Sequence, residues 1–306
     1  MYYGSIIRGE VDTIAIDDYL IFDVELGRVL EPDEAREVFA NKGRKKVSKK
    51  EARLMGINPY KEKSNLYWDY GNFYFFKYND EIFDQLEGAD LVRVLYLASY
   101  MGYTKDGNKL IRGTRPMNKD SCYAIMRLKD RAFREFWNKC ITFNIIEVDA
   151  EGYTSLSSKH FLRGNVTKKI AATSGEMIRI NADTIKHLYQ NTEAREHKRL
   201  SYLYRLIPFV EEESNIVHTE AEVGSRVEKL PTRDEFCKMV GHTANTENKV
   251  RELFDGFVVN SDGIDYRAVV IAVDSFTNKY RVTVNPLIFY KGNDYKKAIT
   301  SAFKIV

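Results

Sequence analysis

The chain is poor in the residues that staple small folds and hold metals: its 306 residues include three cysteines, five histidines and six prolines. Cys122, Cys140 and Cys237 are odd in number and widely spaced, without a Cys-x-x-Cys pair. That excludes a disulfide framework and fits a reducing compartment. Each cysteine lies in an apolar-periodic stretch, the setting of a buried thiol rather than a nucleophile. The histidines never pair at metal-ligand spacing, which removes His-x-His nickases and His-Glu-x-x-His metalloproteases. Neither a Gly-x-x-x-x-Gly-Lys-Ser/Thr loop nor a Gly-x-Gly-x-x-Gly turn is present, so P-loop hydrolysis and dinucleotide binding lack their phosphate cradles. No cofactor and no small-molecule ligand is expected.

Long apolar runs are missing too. The longest, such as Ala268-Val269-Val270-Ile271-Ala272-Val273, suit a strand and fall far short of the roughly 18 residues of a membrane helix. The opening Met1-Tyr2-Tyr3-Gly4-Ser5 lacks the basic n-region and apolar core of a signal peptide. These features predict a cytoplasmic protein without a membrane segment. What is present is ordinary globular material, 44% hydrophobic and 30% charged, with 47 bases against 44 acids. A chain of this length buries about 75% of its unfolded surface and suggests two domains, or two and a small appendage. The near-balance of charge leaves a polyanionic partner open, because clustering decides.

An internal repeat organises the chain. Tyr78-Asn79-Asp80-Glu81-Ile82 echoes Asn181-Ala182-Asp183-Thr184-Ile185, and Leu95-Tyr96 echoes Leu203-Tyr204. Arg134-Glu135-Phe136-Trp137 echoes Arg251-Glu252-Leu253-Phe254, and Phe161-Leu162-Arg163-Gly164-Asn165 echoes Phe289-Tyr290-Lys291-Gly292-Asn293. The matches are collinear and their offsets rise steadily, as insertions in loops would make them. In the first unit Asn118 caps a short helix, and a break at Lys129-Asp130 opens a second helix to about Thr142. The apolar positions of that second helix, Phe133, Phe136, Trp137 and Cys140, recur at three and four. A hairpin then turns at Asp149-Ala150-Glu151-Gly152. In the second unit a long helix runs from Asp183 toward Val210. Thr232-x-x-Glu235 is a capping box, Gly241 makes a turn, Asn245 caps the next helix and Gly256 stops it. Strands at 257–259, 266–273 and 280–284 follow.

This order predicts an α+β fold: two tandem winged helix-turn-helix units joined by a long helix, plus a small N-terminal α/β appendage. The expected domains are residues 1–70, 71–170 and 171–306. In the appendage, apolar residues from Ile14 to Val29 suggest short strands around Gly27, and Pro32 starts a helix that Gly43 ends. Residues 42–53 hold seven bases against the single acid Glu51, and Ser48-x-x-Glu51 suggests that part of this segment is helical.

A helix-turn-helix lays its last helix in the major groove. In the first unit this exposes Lys129, Arg131 and Arg134, with Asn138 and Lys139 further along; in the second it exposes Asn245, Thr246, Asn248, Lys249 and Arg251. These side chains bond base edges or phosphates. The wings add Lys159 and Arg163, with Lys168 and Lys169, in the first unit, and Arg267, Lys279 and Arg281 in the second, as backbone contacts. His160-Phe161-Leu162-Arg163 fits the His-x-x-Arg of tyrosine recombinases, but the second unit has no histidine in the aligned strand. No catalytic constellation emerges, so no enzyme activity is expected.

The closing run Val284-Asn285-Pro286-Leu287-Ile288-Phe289-Tyr290-Lys291-Gly292 resembles the Asn-Pro, apolar, Lys-Gly strand that ends winged helices in replication and regulatory proteins of Gram-positive phages and plasmids. Over residues 70–293 the chain is similar to replication initiators built from tandem winged helices. That resemblance implies binding of double-stranded DNA, each winged helix on its own major groove, in replication initiation or transcription regulation. Related proteins bind repeated sites as monomers and inverted sites as dimers, so a homodimer is a second expected assembly. The first unit departs from the pattern, with Ser157-Ser158 where Asn-Pro would stand, so its strand is expected to finish differently. The alternative reading is a winged-helix protein-protein interaction module without specific DNA binding.

Overall fold

A computed structural model of the chain describes residues 19–23, 28–30 and 47–48 in their backbone, and residues 72–103, 108–164, 176–212, 214–219, 230–243, 247–261, 263–274, 276–292, 303 and 305. The chain divides into two compact units, Met1–Asp69 and Tyr70–Val306. In the smaller, β1 (Tyr19–Asp23), β2 (Arg28–Leu30) and β3 (Val47–Ser48) form an antiparallel sheet in the order β2-β1-β3. Ser48, expected to cap a helix, instead pairs with Tyr19. The helix expected from Pro32 and the rest of the basic segment lie outside the described residues.

The larger unit mixes helices with small antiparallel sheets. Its first half runs β4 (Phe73–Tyr78), α1 (Asp80–Gln85), α2 (Asp90–Ala98), β5 (Asn108–Lys109), β6 (Ile111–Arg112), β7 (Arg115–Pro116), α3 (Lys119–Met126), α4 (Asp130–Thr142), β8 (Ile146–Val148), β9 (Thr154–Leu156) and β10 (Phe161–Leu162). Its second half runs β11 (Glu176–Asn181), α5 (Ala182–Gln190), α6 (His197–Arg205), α7 (Arg233–Val240), α8 (Glu247–Glu252), β12 (Val258–Ser261), β13 (Ile264–Arg267), β14 (Val269–Val273), β15 (Tyr280–Val284) and β16 (Phe289–Tyr290).

The expected long helix does not form. Asn191 and Thr192 end α5, Thr192 Oγ1 donating to the Leu188 carbonyl at 2.7 Å, and the 3-10 turns Ala194–Glu196 and Ile207–Phe209 bound α6. Short polar side chains that bond nearby backbone compete with helix propagation. The halves are instead joined by β4 lying antiparallel to β11, from Phe73 opposite Asn181 to Tyr78 opposite Glu176. The expected strand 266–273 also breaks, at Ala268. Residues before the break pair with β12 and residues after it with β15.

The central sheet has the order β10-β4-β11-β16, with the first strand of each half at its centre and the last strand of each half at its edges. Its register fixes a local two-fold axis at the Phe75–Arg179 pair. Rotation about that axis takes Phe76–Phe161 onto Ile180–Phe289, and Phe75–Leu162 onto Arg179–Tyr290. The shift between the strands is even, which keeps Tyr74, Phe76, Ile178 and Ile180 on one face. The Tyr78-to-Asn181 echo in the sequence is therefore out by one. The helix caps are displaced from this register by two residues: Asn79 Oδ1 accepts from Ile82 N, and Asn181, still within β11, accepts from Thr184 N.

The same hydrogen bonds recur around the axis. Asn108 Nδ2 donates to the carbonyls of Leu156 (3.3 Å) and Phe161. Asn215 Nδ2 donates to those of Val284 (3.2 Å) and Phe289 (2.8 Å). Lys77 N donates to His160 O as Asn181 N does to Ile288 O, and His160 N to Ser157 O as Ile288 N does to Asn285 O. Ser157-Ser158 thus makes the turn that Asn285-Pro286 makes, and the first half's strand does not finish differently. Among the described residues the β12–β13 hairpin has no counterpart in the first half, where Ile145 leads directly into β8.

One core serves both halves. Helices α2 and α6, equivalent under the rotation, pack on each other, and Tyr74, Phe76, Phe161, Ile178, Ile180 and Phe289 of the sheet are buried in the same cluster. Each such side chain contributes about 1.5–3 kcal/mol on burial. The Tyr96 ring of α2 stacks on Tyr189 of α5 at 3.9 Å. No helix among the described residues is long and apolar enough to cross a membrane.

At the end of β16, Gly292 is required by close approach. A Cβ there would lie 2.5 Å from the Glu212 carbonyl oxygen. Gly292→Ala is expected to cost about 1–3 kcal/mol, the range of an overpacked site. Urea unfolding followed by circular dichroism measures it; an unchanged midpoint would contradict the packing.

Candidate nucleic-acid interface

In each half an eight-residue helix, a left-handed turn residue and a second helix stand in series. Asn118 caps α3, accepting from Ser121 N at 2.9 Å, and Thr232 caps α7 in a capping box with Glu235. The Asn118 amide oxygen and the Thr232 hydroxyl accept from first-turn amides that have no intrahelical partner, and the Glu235 carboxylate accepts from the Thr232 amide. Arg127 (φ 54°) and Gly241 (φ 70°) then turn the chain. Glycine takes this conformation freely, whereas arginine pays about 1–2 kcal/mol for it.

The second helices, α4 and α8, are two-faced. On α4, Phe133, Phe136, Trp137 and Cys140 are buried, while Lys129, Arg131, Arg134 and Asn138 are exposed. On α8, Val250 is buried and Asn248, Lys249 and Arg251 are exposed. Aligned by the sequence echo and by burial of Phe133 with Val250, Phe136 with Leu253 and Trp137 with Phe254, Arg134 corresponds to Arg251 and Arg131 to Asn248. Asn245 and Thr246 lie outside the described residues.

Several of these cations have protein partners. Arg131 pairs with Glu135 at 2.8 Å and Arg134 with Asp130 at 2.7 Å, all four side chains well exposed. Exposed pairs of this spacing are worth about 0.3–0.5 kcal/mol. A bidentate contact to a base discriminates by about 1–3 kcal/mol, so a base edge outcompetes the carboxylate. Arg251 Nη1 donates to the Ile271 carbonyl at 3.1 Å, tying α8 to β14. Lys159 pairs with Glu81 at 2.9 Å on the surface.

Two expected contacts are committed elsewhere. Lys139 reaches Asp90 of α2 at 2.9 Å, a pair only 33% and 15% exposed. Arg163 donates to the carbonyls of Ser99 and Met101 and to Asn72 Oδ1, and lies 4.6 Å above the Tyr103 ring. Its guanidinium caps the C-terminal end of α2, where a cation offsets the carbonyl dipoles. Both residues hold the fold together, and local spacing gave no sign of their partners.

The hairpins differ between halves. The first, β8–β9, presents Glu147, Asp149 and Glu151, with Asp149 held by Lys109 at 2.9 Å. The second, β14–β15, exposes Arg281 and keeps Lys279 half-buried at its turn, while Arg267 is exposed on β13. A further basic hairpin, β6–β7, carries no signal in the local sequence; in it Arg112 lies opposite Arg115, both exposed. Like charges directly opposed are unfavourable without an anion. Arg112 and Arg127 both act on the Tyr100 phenol; burial and the Tyr96 hydroxyl push its pKa up and the two guanidiniums oppose them.

Beside Arg127 a cleft of about 250 Å³ is lined by Met126, Tyr189, Gln190, Asn191 and His197 among others. Burial, then the Arg93 charge, pull the His197 pKa down to about 4, so the ring is neutral at pH 7. The unfolded chain takes a proton near pH 6.5 that the folded one refuses. Stability is therefore full above pH 6.5 and falls by about 3 kcal/mol as pH drops toward 4. Denaturant unfolding from pH 7 to 4.5 should show this slope, and a His197→Gln chain should show it flattened; parallel curves would contradict the assignment. The three cysteines are buried thiols, with burial pushing Cys122 up to about 12. Among the described residues no group of side chains is placed to hold a metal ion. The chain matches no family model, no curated protein and no solved structure.

Proposed function

We propose that residues 70–306 form two winged helix-turn-helix halves that bind double-stranded DNA sequence-specifically, in replication initiation or transcription control of a phage or plasmid. The observation that carries this reading is the pair of two-faced helices α4 and α8, each offering arginine, lysine and amide side chains outward while its other face anchors it in the core. Arg127 adds to it: an exposed arginine in a conformation that favours glycine is kept at a stability cost. Arg127→Gly should raise stability by up to about 1 kcal/mol, the strain relieved less the entropy a glycine adds to the unfolded chain, and weaken duplex binding. A purely structural Arg127 would move stability alone.

The direct test is selection of bound fragments from a random duplex library at about 150 mM salt, where non-specific phosphate binding is weak. An enriched sequence supports the reading, and retention that depends only on salt removes it. A protein-binding role is favoured by one feature, the exposed Ile141, Phe143 and Val148 (38%, 38% and 47%) beside the acidic first wing. That role predicts no enrichment.

A further inference from the structure

The geometry points to a single chain that reads an inverted, imperfectly palindromic DNA site, serving as its own dimer. This rests on the DNA-binding reading and specifies the symmetry of the target. The axis at the Phe75–Arg179 pair relates the halves by rotation, as the flanking strand pairs and the Asn108 and Asn215 bonds repeat about it. A rotation reverses the direction of α8 relative to α4. Duplex DNA has two-fold axes of its own perpendicular to its helix, and equivalent protein faces meet equivalent groove edges only when the two kinds of axis coincide. Direct repeats would need halves related by translation along the DNA, which antiparallel pairing of β4 with β11 does not provide.

The two reading surfaces also say where the palindrome fails. Arg134 and Arg251 are equivalent and call for the same base, guanine, in both half-sites. Arg131 and Asn248 are equivalent but differ: arginine pairs with guanine and asparagine with adenine. The half-sites should therefore match at one position and differ at another.

The enriched duplexes from the random library supply the probe, with mass photometry giving the number of chains on each. Inverted half-sites about one helical turn apart, occupied by one chain, are expected. Arg131→Asn should make the selected site more symmetric, shifting one half-site from guanine to adenine by about tenfold or more. Direct repeats, or two chains on each inverted site, would overturn the inference and leave DNA binding standing. An absence of enrichment would overturn both.

Discussion

Asn215→Ala is expected to destabilise the 70–306 unit by about 2–6 kcal/mol, because two buried carbonyls lose their donor at once and each unpaired group costs about 1–3 kcal/mol. Asn215 is fully buried, and its amide spans the Val284 carbonyl at the end of β15 and the Phe289 carbonyl in β16. It thus ties the second hairpin to the central sheet. Asn108→Ala should act in the same direction, since its amide spans Leu156 and Phe161 in the first half. For a unit of this size each kcal/mol moves the thermal midpoint by about 2–4 °C. Differential scanning calorimetry gives the answer, and a change under about 0.5 kcal/mol, the scatter of ordinary surface substitutions, would contradict the clamp.

The second large effect concerns DNA. Arg134→Ala and Arg251→Ala should each weaken binding to the selected duplex by about 1–3 kcal/mol and relax the base preference in one half-site. The ion pair lost with Arg134 is exposed and does not support the fold, so unfolding curves should barely move. Arg281→Ala and Lys159→Ala should instead weaken all duplexes alike and flatten the dependence of affinity on salt. Fluorescence anisotropy on selected and scrambled duplexes separates the two behaviours. Equal losses from both pairs would end the division between base reading and backbone contact.

Local chemistry made some of this legible in the sequence. Spacing at three and four marked the buried face of α4, and Asn118 and Thr232 announced their caps. Gly241, Gly256 and Gly152 stood where positive φ occurs. What escaped depends on partners distant in the chain. Nothing within 73–78 says that it pairs with 176–181, and the two asparagines at 108 and 215 resemble ordinary loop residues until their carbonyls are in view. Lys139 and Arg163 looked outward by spacing alone, yet Asp90 and the end of α2 claim them. The expected long helix failed where Asn191-Thr192 interrupts an apolar pattern that otherwise continues.

Amide hydrogen exchange of the full chain, with and without the selected duplex, reads out whether the corresponding faces of α4 and α8 lie on DNA. Slowed exchange is expected at residues 129–138 and 247–251 together, with the β14–β15 hairpin protected alongside them. Protection confined to one half, or protection centred on Ile141, Phe143 and Val148 with both arginine faces unchanged, would contradict it.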